Sequence, residues 1–200
     1  DLRVIMDIKK QNEVFFGKIA GYYDIIFGNW IRKTQIKVIK SSKIDKSSKV
    51  LDAGCGTGNF LSLLEKDNIK RLYGIDISKE MLKIAKHKLK ISKISLSSVE
   101  SLKFKSNFFD YIFSVDAFHH YSSKEKAMES FHRVLKSGGK LAVVDLTFGD
   151  FLNEIFHRIE PGNSGVCNKI QMRGIFAKYN FKEVKQSKIG MFTVMTAGVK

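Results

Sequence analysis

Between Lys49 and Asp145 the chain switches repeatedly between two periods. Short apolar, β-branched or alternating runs at 49–53, 71–75, 94–98, Phe109–Val115 and Lys140–Asp145 have the length of strands. The segments at about 58–67, 79–90 and 123–136 instead carry apolar positions three and four apart, the spacing of helices with one buried face. Ser78 stands where it can cap the second of these. Ser122 and Glu125 have capping-box spacing at the third, and Gly138-Gly139 supplies its stop. Beyond Asp145, helical spacing returns at Phe151–Ile159 and, after a loop at 160–165, over 167–178. Lys182–Lys188 and Phe192–Val199 then read as two strands about a turn at Gly190. Strands alternating with helices predict a parallel sheet covered on both faces. The closing pair predicts an antiparallel hairpin at one edge, which a plain dinucleotide-binding fold lacks.

The N-terminal part has a different texture. Residues 11–40 carry Phe15, Phe16, Tyr22, Tyr23, Phe27 and Trp30 among aliphatic residues, which fits one or two amphipathic helices broken near Gly28. The expected organisation is a helical cap over 1–40 and an α/β core over 41–200. Two hundred residues suit this plan. No apolar run is long enough to cross a membrane. The first residues lack the apolar core of a signal peptide, and without an initiating Met a trimmed start is expected. Cys55 and Cys167 stand alone, with neither disulfide nor metal spacing, which fits a reducing cytoplasm. The net charge is +15, but only six of the 35 cations are Arg and the lysines are scattered. That pattern predicts a solvated basic surface more than a dedicated nucleic-acid face.

The densest chemistry lies at residues 49–60, Lys-Val-Leu-Asp-Ala-Gly-Cys-Gly-Thr-Gly-Asn-Phe. A strand ends near Asp52, glycines follow at 54, 56 and 58, and helical spacing resumes at Phe60. Glycine lets a ligand approach the backbone, and a helix start favours an anionic group. The next strand ends in Asp76, placed to accept hydrogen bonds from ribose hydroxyls. The G-x-G-x-G spacing is one residue shorter than a dinucleotide fingerprint, and Asp52 beside the turn is a poor neighbour for pyrophosphate. Both features suit a zwitterionic amino-acid tail, its carboxylate toward backbone amides and its amine toward Asp52. S-adenosylmethionine (SAM) joins such a tail to a ribose and an adenine. A purely structural glycine turn is the alternative.

This stretch resembles motif I of the class I SAM-dependent methyltransferases. The resemblance extends over roughly 15–146 to the ubiquinone/menaquinone-biosynthesis-like (type 11) methyltransferases. Phe16-Gly-Lys-Ile-Ala-Gly-Tyr-Tyr-Asp24 is similar to their F-x-x-I-A-x-x-Y-D segment. Asp110–His120 is similar to the fourth-strand segment ending in L-H-H, and Phe131–Leu141 to R-V-L-K-P-G-G, with Ser137 in place of proline. The resemblance implies a Rossmann-like seven-stranded methyltransferase sheet, mostly parallel, with the N-terminal helical cap. It implies SAM as cofactor and S-adenosylhomocysteine as product. Asp52, Gly54, Cys55, Gly56 and Gly58 would cradle the methionine end, Asp76 the ribose, and Ile77 and Met81 the adenosine. Ser98, Val99 and Glu100 stand where the family often has an acidic residue followed by Ala-Glu, so Ser98 replaces the carboxylate near the adenine. Ser114 would end the fourth strand beside the reactive methyl, and Tyr23 would close over the cofactor.

Methyl transfer from a sulfonium asks mainly for positioning and exclusion of water, with a base only where the acceptor must lose a proton. His119 and His120 follow the fourth strand at the ligand-collecting edge of the sheet, and are the candidates for that base; Asp116 is placed to orient one of them or else to stand solvated. A histidine that only ties loop backbone is the competing reading. Phe15, Phe16, Tyr22, Tyr23 and Trp30 either roof the acceptor or pack their helix. Phe151, Phe156, His157 and Arg158 are placed to complete the pocket. Neither an Asn/Asp-Pro-Pro-Tyr segment nor a Pro-Cys pair is present, which argues against two kinds of nucleic-acid methyltransferase. The expected activity is methyl transfer to a small-molecule acceptor in the cytoplasm. The alternatives are an RNA methyltransferase and a non-catalytic SAM-binding regulator; an NAD-dependent reductase is disfavoured.

Overall fold

The computed structural model describes residues 2–147 and 164–200, so the expectations placed on Phe151–Ile159 lie outside the described residues. Strands β1 (Lys49–Ala53), β2 (Arg71–Asp76), β3 (Lys93–Leu96), β4 (Phe109–Val115) and β5 (Leu135–Leu146) pair in parallel. The antiparallel β7 (Thr193–Val199) lies between β5 and β6 (Lys182–Lys188), giving a seven-stranded sheet ordered β3-β2-β1-β4-β5-β7-β6. This is the predicted sheet with its closing hairpin, whose turn holds Gly190 at 3.1 Å from the Thr193 carbonyl.

Burial on both faces explains why β1, β4 and β5 read as nearly continuous apolar runs. Successive residues alternate between two cores. Leu51, Ile112, Leu141 and Val143 join Phe131 of α4 (Lys124–Val134) and Phe176 of α5 (Lys169–Lys178) on one face. Val50, Phe113, Ala142 and Val144 join Phe60, Leu61 and Leu64 of α2 (Asn59–Lys66) on the other. Gly74 in β2 permits this second packing: a Cβ there would stand 2.6 Å from Leu61 Cδ1 and 2.9 Å from Cys55 Sγ.

Several local expectations are corrected. The N-terminal segment is one uninterrupted helix, α1 (Leu2–Ser42), with no break at Gly28. A helical glycine costs only about 1 kcal/mol, and α1 is anchored on both sides of it, with Ala20, Ile31 and Val38 all buried. The cap of α4 is Ser123, whose hydroxyl accepts from the Lys126 amide, and not Ser122. The same helix ends at Val134, so Gly138-Gly139 does not stop it; the pair lies in the irregular start of β5, bonded to Lys200. Strand β3 ends at Leu96, which leaves Ser98 to cap a short 3-10 turn at Val99–Ser101. Ser78 caps α3 (Lys79–Lys88) as expected. Among the described residues, no helix is long and apolar enough to cross a membrane.

Candidate functional site

The carboxyl ends of β1, β2 and β4 converge under α1 around a cavity. Its floor is the turn after β1, where Gly54, Gly56 and Gly58 have φ of 78°, 51° and 78°. The turn holds itself together. The Gly54 and Cys55 amides both donate to the Ile75 carbonyl at 2.9 Å, and the Gly58 amide donates to the Cys55 carbonyl at 2.8 Å. The Gly56 amide donates to Asp76 Oδ2 at 2.8 Å. These amides therefore already have acceptors, which differs from the expectation that they wait for a ligand carboxylate. What the turn offers instead is room, since a Cβ on Gly56 would meet nothing within 4 Å.

Two carboxylates frame this room. Asp52 is buried on the cavity wall, and burial, reinforced by the neighbouring Asp76, pushes its carboxyl up to about 8. Burial also raises Asp76, although the amides of Ser78 and Gly56 work against the shift by donating to its two oxygens at 2.8 Å each. A carboxylate has about four lone-pair sites, so Asp76 keeps capacity for hydroxyl donors. Cys55, Ile77 and Met81 line the same cavity, and burial raises the Cys55 thiol well above its ordinary range. Ser98, Val99 and Glu100 are also on the wall; Glu100 is tied to the start of α4 by the Ser123 amide at 2.8 Å.

Helix α1 supplies the roof, with Asn12, Phe16, Tyr23, Ile31 and Gln35 on the lining. Phe16 meets His120 edge to face at a centroid distance of 4.8 Å. Asn12 donates to the His120 carbonyl at 2.8 Å. The helix is also fastened to the glycine turn itself. Asp24 accepts from Thr57 and Asn59 at 2.7 Å each and pairs with Lys88 at 2.7 Å. Burial would raise the Asp24 carboxyl, but the bonds from Lys88, Thr57 and Asn59 outweigh it and hold the group below its usual value.

Not every residue expected at the site reaches the cavity lining. Ser114 is fully buried one residue before the end of β4, bonded to the Tyr121 hydroxyl at 2.7 Å. Its neighbours Val115, Asp116 and Ala117 form the wall instead. Gly58 faces α3, where a Cβ would approach Leu89 to 3.0 Å. His120 is on the lining, while His119 points into the protein, its Nδ1 2.5 Å from Asp145 Oδ1 and its amide donating to Asp145 Oδ2 at 2.9 Å. The acid hydrogen-bonded to His119 is thus Asp145, which sequence reasoning did not single out, while Asp116 lies close enough for His119 to act on its carboxyl electrostatically. Asn12, Gln35, Thr57, Asn59 and Tyr121 are lining residues that sequence reasoning missed. Only Thr57 and Asn59 carried a signal, their place in the turn.

The raised carboxyls make a stability prediction. Asp52 folded (about 8) lies above its unfolded value, so its contribution is largest in acid and is lost as pH rises from about 4 to about 8. Asp116, pushed up to about 7, acts with the same sign. Asp52→Asn should therefore flatten the decline in Tm of the ligand-free protein across that window. At pH 8 it should melt measurably higher than the unaltered protein. Parallel melting curves for the two proteins would show that Asp52 is not strained by its burial.

Comparison with known proteins gives a consistent picture. Residues 51–143 match the family described as "Methyltransferase domain". An uncharacterized protein of Methanocaldococcus jannaschii is 28% identical over 92% of this chain and 77% of its own length. The demethylmenaquinone methyltransferase of Thermotoga maritima is 31% identical over 69% of this chain, which spans only 62% of that enzyme. In fold, the chain superposes with a TM-score of 0.84 on a methyltransferase of Haloferax volcanii solved in complex with the Trm112 methyltransferase activator. That match covers 92% of this chain and 96% of the other at 19% identity.

Proposed function

The chain belongs to the type 11 family of class I SAM-dependent methyltransferases, and from this premise we propose that it methylates a small-molecule acceptor held beside the cofactor under α1. The observation that carries this reading is the lining of the cavity. It is a concave site roofed by α1, with apolar walls and a few converging polar groups, as small-molecule sites are. Although the protein carries +15, the lining described sets four acids, Asp52, Asp76, Glu100 and Asp116, against one lysine, Lys9, and a bound cation would favour their ionised forms. Such a cavity favours a compact cationic ligand, and SAM is one; a polyanion would be repelled from it.

The residues fit the cofactor. Open space over Gly56 leaves room for its methionine end, buried Asp52 has no cation paired with it among the described residues, a place that an ammonium group would fill, and Asp76 has lone pairs for ribose hydroxyls. When bound, SAM supplies a methyl group already activated on a sulfonium. What remains for the protein is to orient and to keep water out. Phe16, Tyr23 and Ile31 supply apolar roof, and the Asp24 clasp holds that roof against the turn. In this reading residues 1–40 act as the cap, although the C-terminal part of α1 also packs Val38 into the core.

Titration calorimetry tests the reading directly. SAM and S-adenosylhomocysteine should both bind, and NAD should not. Binding of NAD without affinity for SAM would overturn it.

A further inference from the structure

The SAM reading accounts for Asp52 and Asp76 but leaves a third carboxylate of the cavity unused. Asp116 follows β4, and the strand order β2-β1-β4 puts it on the far side of Asp52 from Asp76. A ligand running from the glycine turn toward the end of β2 therefore leaves the β4 side open for a second molecule. Asp116 has a left-handed backbone (φ 52°) and is held by its amide, which donates to the Val144 carbonyl at 2.8 Å. Both of its carboxylate oxygens are buried and have no hydrogen-bond partner among the described residues. Left-handed backbone and unsatisfied buried oxygens both cost free energy, and such costs cluster at ligand sites.

Asp116 is not alone. Asn12 Oδ1 and Gln35 Oε1, both from α1 and both on this lining, are likewise buried without a partner among the described residues. The Asn12 assignment is fixed by its amide nitrogen, which donates to the His120 carbonyl. As oriented here, and with Asp116 ionised, the orphaned polar atoms described on this wall are acceptors. A hydroxyl would bring one donor and two acceptor lone pairs of its own, whereas an alkylammonium brings up to three donors and a positive charge. Phe16 and Tyr23 on the same lining are ring types that suit a cation as well.

Building on the methyltransferase assignment, we propose that the acceptor is an amine that enters as its ammonium ion, with Asp116 as the group that receives it. In the step that follows, an ammonium N–H bond breaks, its electron pair stays on nitrogen, and the proton passes to the Asp116 carboxylate. Nitrogen is then left with the lone pair that a methyl acceptor needs. Burial and the nearby Asp145 raise the Asp116 carboxyl, His119 opposes them, and the balance at about 7 suits a base working near neutrality.

The test uses the intact protein saturated with S-adenosylhomocysteine and two probes of equal shape, benzylammonium and benzyl alcohol, titrated at about pH 8. Benzylammonium should bind about 10- to 150-fold more tightly, the range of a charge-assisted bond, and Asp116→Asn should remove most of that preference. Asn tolerates the left-handed backbone, and affinity for S-adenosylhomocysteine shows whether the variant is folded. Should it fail to fold, Asp116→Gly, which takes the same left-handed backbone, gives the same comparison, and a preference undiminished there assigns the ammonium to another acid of the lining. Equal affinities, preference for the alcohol, binding of neither probe, or a preference undiminished in Asp116→Asn would each overturn the assignment. Loss of S-adenosylhomocysteine binding by the unaltered protein would instead mark failure of the cofactor reading.

Discussion

Replacing Gly56 with Val is expected to abolish SAM binding while leaving a folded protein. The two halves of that expectation have separate causes. A Cβ at this position meets no atom within 4 Å, so the new side chain starts into open space. It projects into the space assigned to the methionine end of SAM, where two branches of Val exclude a ligand that must approach the backbone. The fold loses only the cost of a left-handed non-glycine residue, about 1–2 kcal/mol at φ 51°. Melting should thus fall by about 2–8 °C, while calorimetric titration with S-adenosylhomocysteine becomes flat. Retained affinity in this variant would move the ligand away from the glycine turn.

Asp76→Ala should weaken SAM about 10- to 150-fold, the worth of a charge-assisted contact of roughly 1.5–3 kcal/mol. The variant also strips the Gly56 and Ser78 amides of their acceptor, so part of its effect is loosening of the turn. Asp76→Asn separates the two contributions: its carbonyl oxygen still accepts from one amide, but it has lost the charge. An intermediate affinity for Asp76→Asn, with melting closer to that of the unaltered protein, is the expected ordering. Normal SAM binding by Asp76→Ala would mean that the ribose hydroxyls are held elsewhere.

The sheet was legible because its signals are local. Strand-length apolar runs, helical spacing between them and a closing pair about Gly190 are each contained within a few residues, and all seven strands stand where those runs lie. Element ends were less legible where neighbours compete for the same role. Ser122 and Ser123 are chemically identical as caps, and only the direction of chain entry into α4 selects the second. The glycine pair at 138–139 had the look of a helix stop, but pairing with Lys200 across the sheet decides its place.

Within the candidate site, the turn between β1 and α2 was visible because chemistry and chain order coincide there. The roof was not, since Asn12 and Gln35 lie far from that turn in sequence and nothing in α1 marks which polar residues face inward. The two histidines show the same limit. Adjacent in sequence, they divide their tasks only in three dimensions, His119 against Asp145 and His120 toward the cavity.

The strand order has a consequence for how copies of this protein avoid one another. An open sheet ends in strands whose outer backbone groups are a template for edge-to-edge association. Here those strands are β3 and β6, and the lysines scattered so evenly along the chain reach both: Lys93 on one, and Lys182, Lys185 and Lys188 on the other. Adding a second sheet at either edge would have to desolvate these ammonium groups. The abundance of lysine thus acts as a colloidal safeguard, keeping crowded copies apart at the two places where the fold is otherwise most adhesive.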